Sequence, residues 1–343
     1  MPSVLESLNA ALHRAFTDNN QVYLLGEDIL DPYGGAFKVT RGVATRFPER
    51  VLTTPISEAG FTGIAAGMAL RGLRLVVEIM FGDFITLIAD QLINHITKFR
   101  WMYNDQVRVP LIIRTPMGGR RGYGPTHSQT LEKLYLGLPG LQVVAPAAFS
   151  LEDGSGSPGD LLYKSILDSE DPLLFVENKL QYPLPVEDQA ALTDFTLLFQ
   201  HPHTGINFPT YILTVKGAPP PTITIAAYGY MSELAKQAAL KLAIEQEMFS
   251  EVVIPTRLSP FEVDPISSST KQTGALLVVE EGTYSLGWGA EVVARVAEVL
   301  SSREIKYKRL AAKELPVPGS GRLEAQVLPG VEQIITAAMQ VTR

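Results

Sequence analysis

The chain opens on an amphipathic run in which Leu8, Leu12 and Phe16 recur four residues apart, the spacing that lines one face of a helix. Beyond it, short apolar runs alternate with helix-period segments. Residues 22–25, 73–77, 109–114, 142–145 and 173–176 are short, rich in leucine or β-branched side chains, and bounded by glycine, proline or charge, so they predict buried strands. Residues 59–70, 84–103 and 131–138 predict helices between them. Alternation of this kind builds a mostly parallel sheet covered on both faces.

From 181 to 221 the pattern breaks into prolines, glycines and scattered aromatics, ending in Pro219-Pro220-Pro221, which sustains neither a ladder nor a helix. Residues 186–221 are therefore expected to be a linker. A second alternation follows, with strands over 222–227, 251–254 and 275–280 and helices over 232–245 and 289–300. The fold expected is α/β, with two three-layer α/β/α domains spanning 1–185 and 222–343. The run Glu152-Asp153-Gly154-Ser155-Gly156-Ser157-Pro158-Gly159 reads as an exposed, mobile loop.

Composition narrows the function classes. Apolar residues make up 46% of the 343 and charged residues 19%, enough for packed cores in two domains. The formal charge of −7 is spread without basic blocks, which argues against nucleic acid or anionic lipid as a partner. No cysteine is present, so disulfides, thiolate nucleophiles and zinc–thiolate sites are excluded. No stretch approaches the roughly 18 uncharged apolar residues of a membrane span, and the amino terminus has no targeting pattern; a cytoplasmic location is expected.

Four places could carry chemistry. Pro55-Ile56-Ser57-Glu58-Ala59-Gly60-Phe61 sets a carboxylate at a strand-to-helix junction, with Gly60, Gly63 and Gly67 spaced for close approach of a backbone or a flat ligand. Two readings of Glu58 are open: it complements the helix dipole, or it is a desolvated acid able to share a proton with a heterocycle nitrogen. The loop Met117-Gly118-Gly119-Arg120-Arg121-Gly122-Tyr123-Gly124-Pro125-Thr126-His127-Ser128-Gln129 reads as a flexible cationic wall suited to an anionic substrate, although Thr126 and Gln129 also fit a capping box. Phe84, in Met80-Phe81-Gly82-Asp83-Phe84, is either core or a platform for a stacked ring. Leu25-Gly26-Glu27-Asp28 ends the first strand, where ligands bind in open parallel sheets, though a solvated loop explains it equally well.

These motifs together, with Tyr33-Gly34-Gly35-Ala36-Phe37-Lys38-Val39-Thr40-Arg41-Gly42, Pro139-Gly140-Leu141-Gln142-Val143-Val144-Ala145-Pro146, Glu177-Asn178-Lys179-Leu180-Gln181-Tyr182 and Gly287-Trp288-Gly289-Ala290-Glu291, resemble the β subunit of thiamine-diphosphate-dependent pyruvate and branched-chain 2-oxo acid dehydrogenases. The resemblance covers nearly the whole chain. It implies a transketolase-like pyrimidine-binding domain followed by a transketolase carboxyl-terminal domain. By the same resemblance, Glu58 matches the glutamate on the cofactor's aminopyrimidine nitrogen, Phe84 the aromatic on the pyrimidine, and His127 the histidine facing substrate and lipoyl group. Glu27 resembles an acidic residue on a proton path between paired sites.

The diphosphate and Mg²⁺ motif of the family, Gly-Asp-Gly followed by asparagine, is absent from the sequence. The resemblance therefore implies an α subunit carrying the diphosphate and Mg²⁺, and a heterotetramer of two α and two β chains. Around the strand after Ile166 it implies a potassium site of backbone carbonyls. Extra residues between Pro146 and Leu161, and the unusual segment 199–216, bear on surface contacts, including docking to a lipoyl acyltransferase core. The reaction implied is oxidative decarboxylation of a 2-oxo acid with acyl transfer to lipoyl; acetoin cleavage or another acyloin or ketol transfer is the alternative, and a non-catalytic scaffold the third reading.

Overall fold

The computed structural model describes residues 1–202, 206 and 208–342; residues 203–205 and 207, inside the expected linker and the 199–216 segment, and residue 343 lie outside the described residues. The strands are β1 (Val22–Gly26), β2 (Val51–Thr53), β3 (Arg74–Glu78), β4 (Leu111–Met117), β5 (Gln142–Val144), β6 (Leu173–Asn178), β7 (Phe195–Gln200), β8 (Thr210–Val215), β9 (Ile223–Ala227), β10 (Ser250–Pro255), β11 (Arg257–Ser259), β12 (Ala275–Thr283) and β13 (Lys306–Ala312). Seven form one sheet in the order β11-β5-β6-β4-β3-β1-β2, and six form another in the order β13-β12-β9-β10-β8-β7. The first sheet is parallel except where β11 pairs with β5. The second is parallel around β9, β10, β12 and β13, with β8 and β7 running antiparallel at one edge.

Alternation along each strand decides which helices cover it. Val76 and Ile112 pack with Leu8 and Leu12 of the helix Val4–Asp18, whereas Leu75, Val77, Leu111 and Ile113 pack with Phe61 and Ala65 of the helix Glu58–Leu70. In the second sheet Ile225 and Leu277 face the helices Tyr230–Gln246 and Val331–Thr342, through Ala235 and Ala338. Ala226, Leu276 and Val278 face Trp288 and Val292 of the helix Trp288–Val299, and this apolar cluster is continuous with Val77 and Ile113 of the first sheet. Each such side chain, fully buried, contributes about 1.5–3 kcal/mol. No helix among the described residues is long and apolar enough to cross a membrane.

The structure departs from the expected pattern in four places. The helix expected over 84–103 is instead a 3-10 turn at Gly82–Ile88, a π turn at Gln91–Ile96 and an α turn at Phe99–Met102. At the end of the π turn the Thr97 N–H donates to the Leu92 carbonyl five residues back, its hydroxyl donates to the Ile93 carbonyl, and its own carbonyl packs against Gly140, where a Cβ would come within 2.2 Å. Residues 131–138 form only a 3-10 turn at Glu132–Leu134, because Gly137 turns left-handed at φ 75° and Pro139 follows.

The expected linker is a correction as well, since β7 and β8 lie within it and complete the second sheet. Phe195 and Leu197 alternate inward there, as do Tyr211 and Leu213, so a short strand signal survives between the turn residues. Finally, the loop over 152–159 is exposed only in its first half. Ser157 caps the helix Pro158–Asp168, and Gly159 packs against the Ser7 main chain where a Cβ would meet the carbonyl at 2.2 Å.

At the carboxyl ends of the central strands sits a buried ionic cluster. Arg114, 1% exposed at the middle of β4, donates from Nε to Glu177 Oε1 at 2.8 Å and from Nη2 to Glu177 Oε2 at 2.6 Å, and its Nη1 pairs with Glu78. Tyr182 Oη donates to Glu177 Oε2 at 2.6 Å. Burial pushes the Glu78 carboxyl up, while the Arg114 charge pulls it back, and the Arg114 guanidinium is held firmly protonated by its two carboxylates. Removing one partner of such a pair strands a buried charge. Arg114→Met is therefore expected to destabilise the protein by about 3–5 kcal/mol, read as a lowered denaturant midpoint.

Candidate functional site

The functional groups leave the first sheet at the carboxyl ends of β1, β3, β4 and β6, the edge where open parallel sheets bind ligands. Glu27 follows β1 and is buried, with Oε1 lacking a hydrogen-bond partner among the described residues. Burial raises its pKa, the negative charge of Glu58 raises it further, and a hydrogen bond from the Ser57 N–H draws it back. The solvated-loop reading fits Asp28, which is exposed in a left-handed turn, but not Glu27.

Glu58 is the first residue of the helix Glu58–Leu70 and is only 6% exposed, with no hydrogen bond or ion pair to its carboxylate among the described residues. The dipole and the buried-acid readings thus describe one side chain. Around it the surface is apolar and open: Ile56 is 86% exposed, and Ile64 and Leu87 are also exposed. Nothing lies within 4 Å of where a Cβ on Gly63 or Gly67 would stand.

A second cluster is built on aromatics. The helix Glu58–Leu70 packs against the turn Gly82–Ile88, which carries Phe84. His127 stands edge-on to Phe81 at 4.8 Å and to Phe84 at 5.2 Å between ring centroids, and Phe84 is itself edge-on to Phe81 at 5.8 Å. His127 Nδ1 lies 3.0 Å from Thr126 Oγ1, which leaves Nε2 for another partner. Asp83 fixes the far side, its Oδ1 accepting from Gln129 Nε2 at 2.8 Å and from the Gln129 N–H at 3.3 Å. No helix starts at Thr126, so the capping-box reading of Thr126 and Gln129 does not hold. The structure thus pairs Glu27 with Glu58 and Phe84 with His127.

The glycine-rich loop is a clasp to the second domain rather than a cationic wall. Glu281 of β12 accepts the Gly119 N–H at 2.7 Å and pairs with Arg120 at 3.2 Å; Glu324 of the helix Gly321–Val327 accepts the Arg120 N–H at 2.5 Å and the Gly122 N–H at 3.3 Å. Arg121 remains exposed over the rings of Phe37 and Tyr123. Glycine is required at 118, where φ is 95° and a Cβ would press on Asn178. Below the clasp, Glu132, Tyr228 and Glu280 are buried together across the seam; Tyr228 Oη donates to Glu132, and the Gly289 N–H donates to Glu280 at 3.1 Å.

Sequence reasoning singled out no role for Asp83, Lys179, Glu281 or Glu324, and gave Gln129 only the capping-box role that the structure replaces with a bond to Asp83. A usable signal was present, because charges at the ends of apolar runs, as in Glu177 after 173–176 and Glu280-Glu281 after 275–279, rarely go inside without a task. A cavity of about 960 Å³ lies elsewhere, lined by Ile96, Trp101, Pro139 and Asp171, and contains none of the residues named for chemistry.

Two family descriptions match the chain: transketolase, pyrimidine binding domain, over residues 1–185, and transketolase, C-terminal domain, over residues 215–334. The β-1 subunit of the mitochondrial pyruvate dehydrogenase E1 component of Arabidopsis thaliana is 34% identical over 340 residues, 98% of this chain and 88% of that protein. The chain belongs to the family of pyruvate dehydrogenase E1 component β subunits. The corresponding subunit of Rickettsia bellii is 32% identical over 341 residues, 99% of this chain and 98% of its own length. A solved split-gene transketolase, described as an inactive β4 tetramer, aligns over 100% of this E1 β chain and 99% of its own with a TM-score of 0.72 at 19% identity, which speaks for the two-domain transketolase fold.

The E1 β chain carries one titration that reports on its domain seam. Burial, helped by the Glu132 charge, pushes Glu280 up to about 7, against a lowering by the Gly289 N–H and Arg309. A carboxyl raised from 4.5 to about 7 on folding keeps its proton in the native state, so stability falls as pH rises between those values and the full penalty stands above 7. Glu280→Gln is expected to raise the melting temperature at pH 8, with the gain shrinking towards pH 4.5; a thermal-denaturation series across that range measures it.

Proposed function

We propose that this chain forms, with an α subunit, the decarboxylating component of a 2-oxo acid dehydrogenase complex, removing CO₂ from a 2-oxo acid and passing the acyl group to lipoyl. Its family membership carries the thiamine-diphosphate-dependent oxidoreductase role of the pyruvate dehydrogenase type. The observation that supports the active-site reading is Glu58, a buried carboxylate with no partner of its own, coupled to Glu27 and bordered by an open apolar rim. A flat heterocycle with a basic ring nitrogen fits that arrangement.

When bound, thiamine diphosphate supplies the electron sink for loss of CO₂. Glu58 holds and returns a proton at the aminopyrimidine ring nitrogen. Glu27, whose pKa is raised by burial and by the Glu58 charge, stands beside it as a second proton-exchanging group. Phe84 packs against the ring. His127, with Nδ1 engaged by Thr126, offers Nε2 as proton donor to the substrate and lipoyl side.

The diphosphate and its Mg²⁺ are assigned to the α subunit, since this sequence lacks their motif. Exposed Ile56, Ile64, Leu87 and Tyr123 around the site favour a second polypeptide there, consistent with a heterotetramer of two α and two β chains and, beyond it, a lipoyl acyltransferase core. A potassium ion held by backbone carbonyls around the strand after Ile166 belongs to the same reading, although the Ile166 and Ser169 carbonyls themselves accept from the Arg74 guanidinium, at 3.1 and 2.8 Å. A cytoplasmic location completes it.

Two substitutions test the assignment in the α/β complex. Glu58→Ala is expected to cut 2-oxo acid decarboxylation by about a hundredfold or more with the fold intact by circular dichroism; normal turnover would remove the acid from the mechanism. His127→Ala is expected to lose lipoyl acylation by a similar factor, about a hundredfold, while thiamine diphosphate still binds by calorimetry. Decarboxylation without lipoyl acylation in the unaltered complex would favour acyloin transfer instead.

A further inference from the structure

Lys179 has no part in the chemistry just described, yet it is 0% exposed. A buried ammonium is ordinarily matched by a carboxylate in contact. Among the described residues Lys179 has no such partner; its ammonium donates to the carbonyl oxygen of His127, at 2.5 Å. The charged groups facing it come from four other segments. Asp83 from the turn after β3, Glu281 from β12 and Glu324 from the helix Gly321–Val327 favour the ammonium, and Arg121 from the glycine-rich loop opposes it. Its Nζ also lies 5.2 Å from the ring centre of Phe81 and 5.8 Å from that of Tyr123.

The bond falls where the main chain most needs one. Residues 117–124 hold four glycines, and Gly118, Arg120, Gly122 and Gly124 are all left-handed, so the segment leading into His127 has little preference of its own. Glu281 and Glu324 pin its beginning. The Lys179 N–H donates to the Met117 carbonyl at 3.1 Å and its side chain reaches the His127 carbonyl, so one residue spans both ends of the loop. Phe81, under the ammonium, is also the ring against which the imidazole stands.

We infer that Lys179 is the positioning residue of His127: its desolvated ammonium fixes the His127 main chain and the Phe81 ring, and so holds the imidazole in the pose that acyl transfer requires. The inference rests on the role proposed for His127. A charge-assisted hydrogen bond to a carbonyl is stronger than a neutral one, and burial keeps water from competing for it.

The test uses the α/β complex with wild-type β chain, Lys179→Met, Lys179→Arg, His127→Ala and the Lys179→Met/His127→Ala double variant. Lys179→Met keeps the stem and removes the donor; lipoyl acylation is expected to fall about tenfold, with partial recovery in Lys179→Arg. The double variant is expected to be no slower than His127→Ala alone, because the lysine acts through the histidine. Losses that multiply would mean a merely structural lysine and overturn the inference.

Burial lowers Lys179 to about 8, so the wild-type rate is expected to have an alkaline limb near that pH that Lys179→Met lacks. Should the methionine variant fail to assemble, the wild type alone decides: the ¹³Cε1 signal of His127 in histidine-labelled β chain should move between pH 7 and 9, and a static signal sinks the idea. If the wild-type complex consumes 2-oxo acid but never acylates lipoyl, the lipoyl assignment falls by itself. The same cycle is then read on 2-oxo acid consumption, where additivity again overturns the lysine's role.

Discussion

The aromatic half of the candidate site hangs from one buried guanidinium. Arg114 ties β4 to Glu78 on β3 and to Glu177 on β6, three neighbouring strands of the first sheet. The turn with Phe81, Asp83 and Phe84 leaves from β3, the loop to His127 from β4, and Asn178-Lys179 from β6. Fixing the carboxyl ends of these strands therefore fixes the starting points of every segment in the aromatic cluster. Two carboxylates around one cation is a costly arrangement in a core, and an apolar trio of equal volume would stabilise it at least as well. What the ions add is direction: the bidentate contact to Glu177 and the third donor to Glu78 admit one register between the strands, where packed methyl groups would tolerate several.

Five strands of the first sheet and three at the centre of the second were legible because fully buried strands read as short apolar runs, as β1, β3, β4, β6, β9 and β12 do; the three-residue β2 and β11 and the half-buried β13 give no such run. The helix Glu58–Leu70 was legible for the same reason as its glycine face. Residues 84–103 were not, because their apolar spacing suits an α-helix as well as it suits the 3-10, π and α turns that they form. β7 and β8 were hidden by proline and glycine on either side, which describe the turns around a strand as faithfully as they describe a linker. At the candidate site, Glu58, His127 and Phe84 were singled out through motif resemblance, but the contacts around them were not: Asp83, Glu281 and Glu324 reach their partners across breaks of tens to hundreds of residues in sequence, and no local pattern announces them.

The same distinction explains why the loop over 117–129 was misread. Arginine and glycine beside a predicted strand suggest an anion site when the loop is taken alone. In the fold, carboxylates of the second domain reach it first: they accept the Gly119, Arg120 and Gly122 N–H groups, and Glu281 pairs with the Arg120 charge. The charge a substrate would meet there is reduced accordingly, leaving Arg121 as the exposed cation.

That clasp also changes what the two domains are to each other. The apolar cluster shared by Val77, Ile113, Val278 and Trp288 makes the seam a core rather than a hinge, and the carboxylates of Glu281 and Glu324 carry the connection from the core to the loop before His127. A loop with several left-handed positions loses much conformational entropy when ordered, and here the loss is met on folding, by contacts inside one chain. The acidic pair of Glu27 and Glu58 is treated in the opposite way: it is buried, yet its apolar border at Ile56 and Ile64 is left open. One half of the site is thus preorganised by the second domain, and the other keeps an apolar border open to solvent.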